Sequence, residues 1–281
     1  MVKIISDSTC DLSKELLEKY DISILPLHVL LGEDEYLDGK NITPDEIFAW
    51  ADENKTTPKT SAPAMTEAVD MWKPYLDAGQ EIICFSIAEG MSGTGNIMRL
   101  AVAELEAEGK AFVVDSANLS TGIGLLVIEA AIMAQAGKSA AEIVAAIEEL
   151  KPRVRASFVV DTLVYLHRGG RCSGLAAMAG GVLKLHPRIA VENGKMSAGK
   201  KYRGKLSHVV MEYVKDMEED LKAAKPERVF ITHSGCDREI VQEVYDYLEG
   251  LNVFGEILET RAGSVVSSHC GPGTLGVLFI I

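Results

Sequence analysis

Short apolar runs alternate with longer helical patterns through the first half of the chain, and this alternation restricts the fold more than any other feature. Val2 to Ile5 precedes a helical pattern at Leu12 to Tyr20, Glu81 to Phe85 precedes Asn96 to Glu108, and Ala111 to Val114 precedes Thr121 to Ala136. A strand followed by a helix and a second strand of the same sheet builds a βαβ unit, so the order predicts a parallel, Rossmann-like sheet. Two helix starts are well marked. Thr43-Pro44-Asp45-Glu46 joins an N-cap hydroxyl, a proline at the first helical position and a capping-box glutamate, and Ser139-Ala140-Ala141-Glu142 repeats the box.

The texture changes near Lys151-Pro152. A hairpin follows, with strands at Pro187 to Val191 and Lys195 to Ser197 around the turn Glu192-Asn193-Gly194. Helical patterns at Leu206 to Ala223 and Glu239 to Glu249 then flank apolar runs at Arg228 to Thr232, Phe254 to Leu258 and Thr274 to Ile281. At 281 residues the chain exceeds the usual size of one domain, about 100 to 200 residues. The expected fold class is therefore α/β. Residues 1–151 form an N-terminal parallel-sheet domain and residues 152–281 a C-terminal mixed α/β domain whose strand order the pattern leaves open.

With 28 lysines and arginines against 41 aspartates and glutamates, the net charge of -13 repels phosphate backbones and anionic lipid headgroups. Nucleic acid is thus an unfavoured partner. No run of about 18 apolar residues offers a membrane span, and Asp7 arrives too early for a signal-peptide apolar region, so the expectation is a cytoplasmic protein without stable membrane insertion. Cys10, Cys84, Cys172, Cys236 and Cys270 are scattered without a CxxC pair and read as small buried hydrophobes rather than as disulfides or zinc ligands. His28, His167, His186, His208 and His233 share no metal-ligand spacing, and read as structural or exposed; no metal and no cofactor is expected. Gly271 to Gly276 fits GxGxxG by letter, but only five residues follow it, too few for the helix a dinucleotide site requires.

Ligands of open parallel sheets sit beyond the carboxyl ends of the strands, which directs attention to the loops there. Asp7-Ser8 and Asp115-Ser116 follow two of the strands, either as caps of the next turn or as groups that shape a pocket. Gly90 to Gly95 follows a third. Its glycines allow close backbone approach, and Ser92, Gly93 and Thr94 could receive a carboxylate, unless the loop is a plain glycine turn with an N-cap hydroxyl. Thr60-Ser61-Ala62-Pro63, ahead of a helix, reads by itself as an N-cap, whereas His269 before Gly271-Pro272-Gly273 is a candidate ligand contact. A basic cluster comprises His167, Arg168, Arg171, Arg188, Lys200, Lys201, Arg203 and Lys205. Its arginines suit carboxylate or phosphate groups, or form a solvated surface.

Taken in order, Asp7-Ser8, Thr60-Ser61-x-Pro63, Met91-Ser92-Gly93-Thr94, Asp115-Ser116, Gly169-Gly170-Arg171, Arg203 and His269-x-Gly271-Pro272-Gly273 resemble the DegV family over nearly the whole chain. The resemblance implies two α/β domains with one long-chain fatty acid held at their interface in a buried apolar tunnel. It implies Thr60, Ser92 and His269 as the carboxylate contacts, with Ser61, Gly93, Thr94, Gly271, Gly273 and the two Asp-Ser pairs around them. It further implies a carrier rather than an enzyme, one subunit of a two-component fatty acid kinase serving phospholipid metabolism. A separate ATP-dependent kinase would phosphorylate the bound carboxylate, docking at Arg171 and Arg203. Ala62, Gly95 and Cys172 depart from the residues usual in the family. The alternative is a serine hydrolase or acyltransferase with Ser92 as nucleophile and His269 as base. A lipid-free interaction module using the basic cluster is a third reading.

Overall fold

A computed structural model describes residues 1–173 and 185–281; for 172 and 173 the description is of the backbone, so the side chain of Cys172 lies outside the described residues. The first half runs β1 (Val2–Asp7), α1 (Lys14–Lys19), β2 (Ile22–Leu25), β3 (His28–Leu31), β4 (Asp34–Leu37), α2 (Pro44–Asn54), β5 (Lys59–Ser61), α3 (Met65–Asp77), β6 (Glu81–Ser86), α4 (Thr94–Glu104), β7 (Ala111–Asp115), α5 (Thr121–Gln135) and α6 (Ala140–Leu150). The second continues with β8 (Val154–Val159), α7 (Val164–Gly169), β9 (Cys172–Ser173), β10 (Leu185–Glu192), β11 (Lys195–Arg203), α8 (Leu206–Lys215), α9 (Glu218–Lys222), β12 (Arg228–His233), α10 (Arg238–Gly250), β13 (Glu256–Arg261), α11 (Ser264–Cys270) and β14 (Leu275–Ile280).

The expected parallel sheet is present in the order β2-β1-β6-β7, every pair parallel. β1 is buried at all six positions, as a central parallel strand covered on both faces must be. A second, mixed sheet has the order β13-β12-β14-β8-β10-β11-β9. β10 and β11 are the expected hairpin, and Asn193 and Gly194 both take positive φ in its turn, as a tight two-residue hairpin requires.

Alternation along the strands divides the core into layers. Ile82 and Cys84 face α3 and α4, whereas Ile83 and Phe85 face the middle of the molecule. On the second sheet Val277 and Phe279 face the side carrying α8 and α10, while Leu278 and Ile280 point inward. Between the sheets lies α5, which touches β1 and β6 on one side and β8 and β14 on the other. Its sequence is apolar all round rather than striped, the pattern of a helix covered on every side.

Several elements depart from the sequence expectation. The pattern at Leu206 to Ala223 is two helices, because Met217 leaves helical geometry and is buried under β8, where its sulfur accepts from Ser157 Oγ at 3.4 Å. The helix expected at Asn96 to Glu108 starts at Thr94 and stops at Glu104; Glu106 turns left-handed and Ala107 N–H bonds back to Val102. The last parallel strand begins at Glu256 rather than Phe254. A small antiparallel sheet, β4-β3-β5, was not foreseen, and it places Thr60 and Ser61 on an edge strand instead of at a helix cap. Helix α3 begins at Met65, with Ala64 at its N-cap position. Both expected capping boxes, Thr43 with Glu46 and Ser139 with Glu142, are formed.

Glu129 on α5 joins the central layer to the second sheet. It is paired with Arg228 of β12 and, at 3.0 Å, with Lys225. Arg228 is only 8% exposed, and among the described residues its one other acid, Glu256, lies 3.8 Å away. Removing Glu129 strands a mostly buried guanidinium, so Glu129→Ala is expected to cost about 3 kcal/mol in urea unfolding. A loss under about 1 kcal/mol would show the pair to be solvent-screened.

Candidate functional site

Thr60 and His269, 209 residues apart, meet at one hydrogen bond of 2.8 Å between Thr60 Oγ1 and His269 Nε2. Thr60 reaches this position on β5, whose pairing with β3 sets it opposite Val29. His269 reaches it on α11, which packs against α2, β3 and β5. His269 Nδ1 is buried and has no hydrogen-bond partner among the described residues. Gly169 lies against this atom so closely that a Cβ there would sit 2.5 Å from Nδ1. Burial, reinforced by the positive charge of Arg171, pushes the imidazole pKa down to about 4, so the ring is neutral at physiological pH. A buried lone pair without a partner costs less than a buried N–H without one, so the proton belongs on Nε2, donated to Thr60. The threonine hydroxyl hydrogen then remains available to an acceptor in the cavity.

The glycine-rich loop after β6 supplies the opposite wall. Ser92 Oγ lies 2.9 Å from Thr94 Oγ1 and accepts from Thr94 N–H at 3.3 Å, so it serves the first turn of α4 while lining the cavity. The N-cap position itself is Gly93. The two Asp-Ser pairs hold the backbone around the cavity without lining it. Asp7 accepts from Ile87 N–H at 2.7 Å and caps the 3-10 turn at Ser8–Cys10 through Thr9 N–H. Burial nevertheless raises its pKa to about 6. Ser8 Oγ accepts from Leu27 N–H at 3.1 Å, and Asp115 accepts from Glu89 N–H at 3.2 Å. Ser116, fully buried, exchanges hydrogen bonds with the backbone of Asn118. Gly90 packs on the hairpin turn, where a Cβ would lie 2.5 Å from Gly194 O.

These groups line a cavity of about 430 Å³, within the ~300 to 1,000 Å³ range typical of small-ligand sites. Thr60, Ser61, Glu89, Ser92, Gly93 and His269 form its polar part, Glu89 being paired with Arg99, and Leu27, Ile87, Met91, Leu119, Met196, Val265, Val266 and Cys270 form its apolar part. Val265, Val266, His269 and Cys270 share one face of α11 by i, i+4 spacing. Arg171 also lines the cavity while remaining exposed, and its guanidinium donates to Gly169 O at 2.7 Å. Thr94, Gly271, Gly273 and Arg203 do not line it. Gly271 and Gly273 instead hold the left-handed turn after α11, and Arg203 is exposed at the end of β11. The apolar lining and the contact of Gly169 with His269 had no local signal in the sequence.

Ser92 and His269 share no hydrogen bond: the serine is engaged with Thr94, the imidazole with Thr60, and no carboxylate among the described residues orients Nδ1. That arrangement lacks the base contact that serine catalysis requires. Among the described residues no group of three or more His, Cys, Asp or Glu side chains could hold a metal ion, and no helix is long and apolar enough to cross a membrane. The other histidines are committed elsewhere or exposed. His28 lies between Glu35 and Glu67, His186 bonds Val160 O, His233 faces Glu259, and His208 and His167 are at the surface.

The family model described as "Uncharacterised protein, DegV family" matches residues 1–281. A DegV domain-containing protein of Clostridium perfringens is 32% identical over 281 residues, covering 99% of this chain and 98% of the relative. A solved DegV family protein of Thermus thermophilus, described by its fatty acid binding, is similar with a TM-score of 0.91 at 29% identity, over 100% of this chain and 99% of its own. A stearic acid-binding protein from Eubacterium ventriosum gives a TM-score of 0.86 at 31% identity, over 100% and 98%.

In the ligand-free protein, NMR of the imidazole is expected to give a midpoint of about 4 for His269. Because the folded pKa lies below the unfolded value of about 6.5, this residue's share of stability, up to about 3 kcal/mol, is complete above that value and falls as pH drops toward 4. Asp7 acts with the opposite sign: its raised pKa stabilises the fold at low pH, and that gain is lost as pH rises through about 6. Residue-resolved titration separates the two. A His269 midpoint near the ordinary histidine value would contradict the enclosure described.

Proposed function

This chain belongs to the DegV family, and we propose that it binds one long-chain fatty acid, with the carboxylate received by the hydroxyls of Thr60 and Ser92, His269 fixing Thr60 from behind, and the tail along the apolar wall of the cavity. The observation that carries this reading is the neutral His269–Thr60 pair at the polar end of a cavity whose remaining wall is largely aliphatic and methionine side chains. An anionic head needs donors, and a Thr60 hydroxyl relieved of its proton duty toward His269 is one. Burial of an acyl chain gains roughly 0.8 kcal/mol per methylene, so about ten methylenes supply on the order of 8 kcal/mol before association costs. The tail thus provides affinity, and the polar end fixes which atom faces outward.

The same reading makes residues 1–151 and 152–281 two domains with the lipid at their interface, and makes the protein a carrier that presents the carboxylate to an ATP-dependent kinase. A carboxylate oxygen would attack the γ-phosphorus of ATP, releasing ADP and leaving an acyl phosphate on the carrier. Arg171, beside the cavity, and the exposed Arg203 are the proposed docking cations. Rim charges of this kind act mainly on association rate and are weakened by salt.

Native mass spectrometry of gently purified protein is expected to show one fatty acid per chain, and Thr60→Val or His269→Ala is expected to weaken retention at least about 10-fold, the equivalent of one lost hydrogen bond to a charged group. Full retention in both variants would remove the head-group assignment. Arg203→Ala is expected to keep the lipid while slowing phosphoryl transfer from the kinase several-fold in low salt; loss of the lipid itself would merge the two surfaces that this reading separates.

A further inference from the structure

A second cavity, about 560 Å³, lies beside the hairpin turn at Asn193. Its lining includes Asn118, Lys151, Arg155, Arg188, Glu192 and Asn193. We propose that this cavity is a binding site for a small phosphorylated ligand, recognised through its phosphoryl oxygens by Arg155 and Arg188.

Three cations and a single acid line this cavity in a chain whose net charge is -13. Lys151 is already committed, to Glu148 at 2.6 Å and to Asp115 O at 3.0 Å. The two arginines are not: neither has a carboxylate within ion-pair distance among the described residues. Arg155 donates to the backbone oxygens of Pro152 and Val154 through one nitrogen, Nη1, which leaves other donors of its guanidinium for a ligand. Arg188 Nε is buried with no hydrogen-bond partner among the described residues, so a ligand in the cavity would meet the terminal nitrogens of the guanidinium. Its positive charge reaches Tyr202, Tyr213 and Asp216, and that carboxylate is already held by Lys200 and Tyr202.

Forked guanidinium donors bind phosphoryl oxygens bidentately, and a carboxylate ligand would satisfy the arginines less fully because it has only two oxygens.

The inference does not depend on fatty acid binding, and it is tested without lipid readout. Pyrophosphate and ADP are titrated into the full-length protein, with sodium chloride at matched ionic strength as control, and binding is followed by phosphorus NMR line broadening and by thermal shift. Wild-type protein is expected to bind pyrophosphate or ADP in the sub-millimolar range, with chloride giving no comparable stabilisation. Arg188→Gln and Arg155→Gln, each confirmed as folded by circular dichroism, are expected to weaken binding at least about 10-fold, whereas Lys138→Gln, at an exposed cation outside the cavity, leaves it unchanged. Tighter binding of ADP than of pyrophosphate identifies a nucleotide as the source of the phosphoryl group; equal binding identifies the phosphoryl group as sufficient. The proposal is overturned if wild-type protein shows no broadening at about 10 mM probe, if matched chloride reproduces the shift, or if both arginine variants bind as wild type does.

Discussion

The hydrogen bond between Thr60 and His269 closes a chain segment of 209 residues. Closing a flexible loop of that length costs roughly 5 kcal/mol of chain entropy, while one hydrogen bond returns about 1 kcal/mol. The bond therefore reports a position that other contacts impose. Those contacts are the packing of α11 on α2, β3 and β5, where Val265 joins Leu27, Val29, Ile42 and Ile47 in one apolar cluster. Without that packing the imidazole would have no fixed partner, and the polar end of the cavity would not exist as a defined geometry.

Electrostatics fixes the same helix from its other end. Asp11 accepts from Gly263 N–H at 2.8 Å and Asp38 from Ser264 N–H at 2.7 Å, so two carboxylates from the first half of the chain meet the first amides of α11. Burial raises the pKa of both, and the charges of Asp38 and Asp7 raise that of Asp11 further. Negative groups at a helix start are favourable, and here they anchor a helix only seven residues long. At the far end the dipole would favour a cationic histidine, yet burial prevails and His269 stays neutral. An uncharged imidazole leaves a carboxylate to be bound by hydrogen bonds, with the Arg171 charge at the cavity edge.

The glycine-rich loop is held in a comparable way, by backbone amides given to side chains elsewhere. Ile87 is tied to Asp7 and Glu89 to Asp115, each carboxylate standing at the end of a parallel strand. The strands fix the loop, and the loop carries Ser92 and Gly93 to the cavity. Gly90, pressed on the hairpin turn of the second sheet, sets how close the halves can come. Met196, two residues beyond that turn, lines the same cavity from the second sheet.

Much of this was legible in the residues themselves. Periodicity determined the parallel sheet and its helices, because alternation of apolar runs and 3.6-residue patterns is a local property of the chain. The capping boxes and the Asn193-Gly194 turn were equally local, since each depends on the backbone preferences of a few neighbours. Tertiary structure alone decided that Thr60 lies on an edge strand rather than at a helix cap, because β5 exists only by pairing with β3, some thirty residues earlier in the sequence. It alone placed Gly169 against His269, chose the aliphatic residues that line the cavity, and brought Arg155 and Arg188 to a common wall. The physical reason is the same in each case: local geometry is written in successive residues, whereas burial and orphaned polar atoms arise only when distant segments share a space.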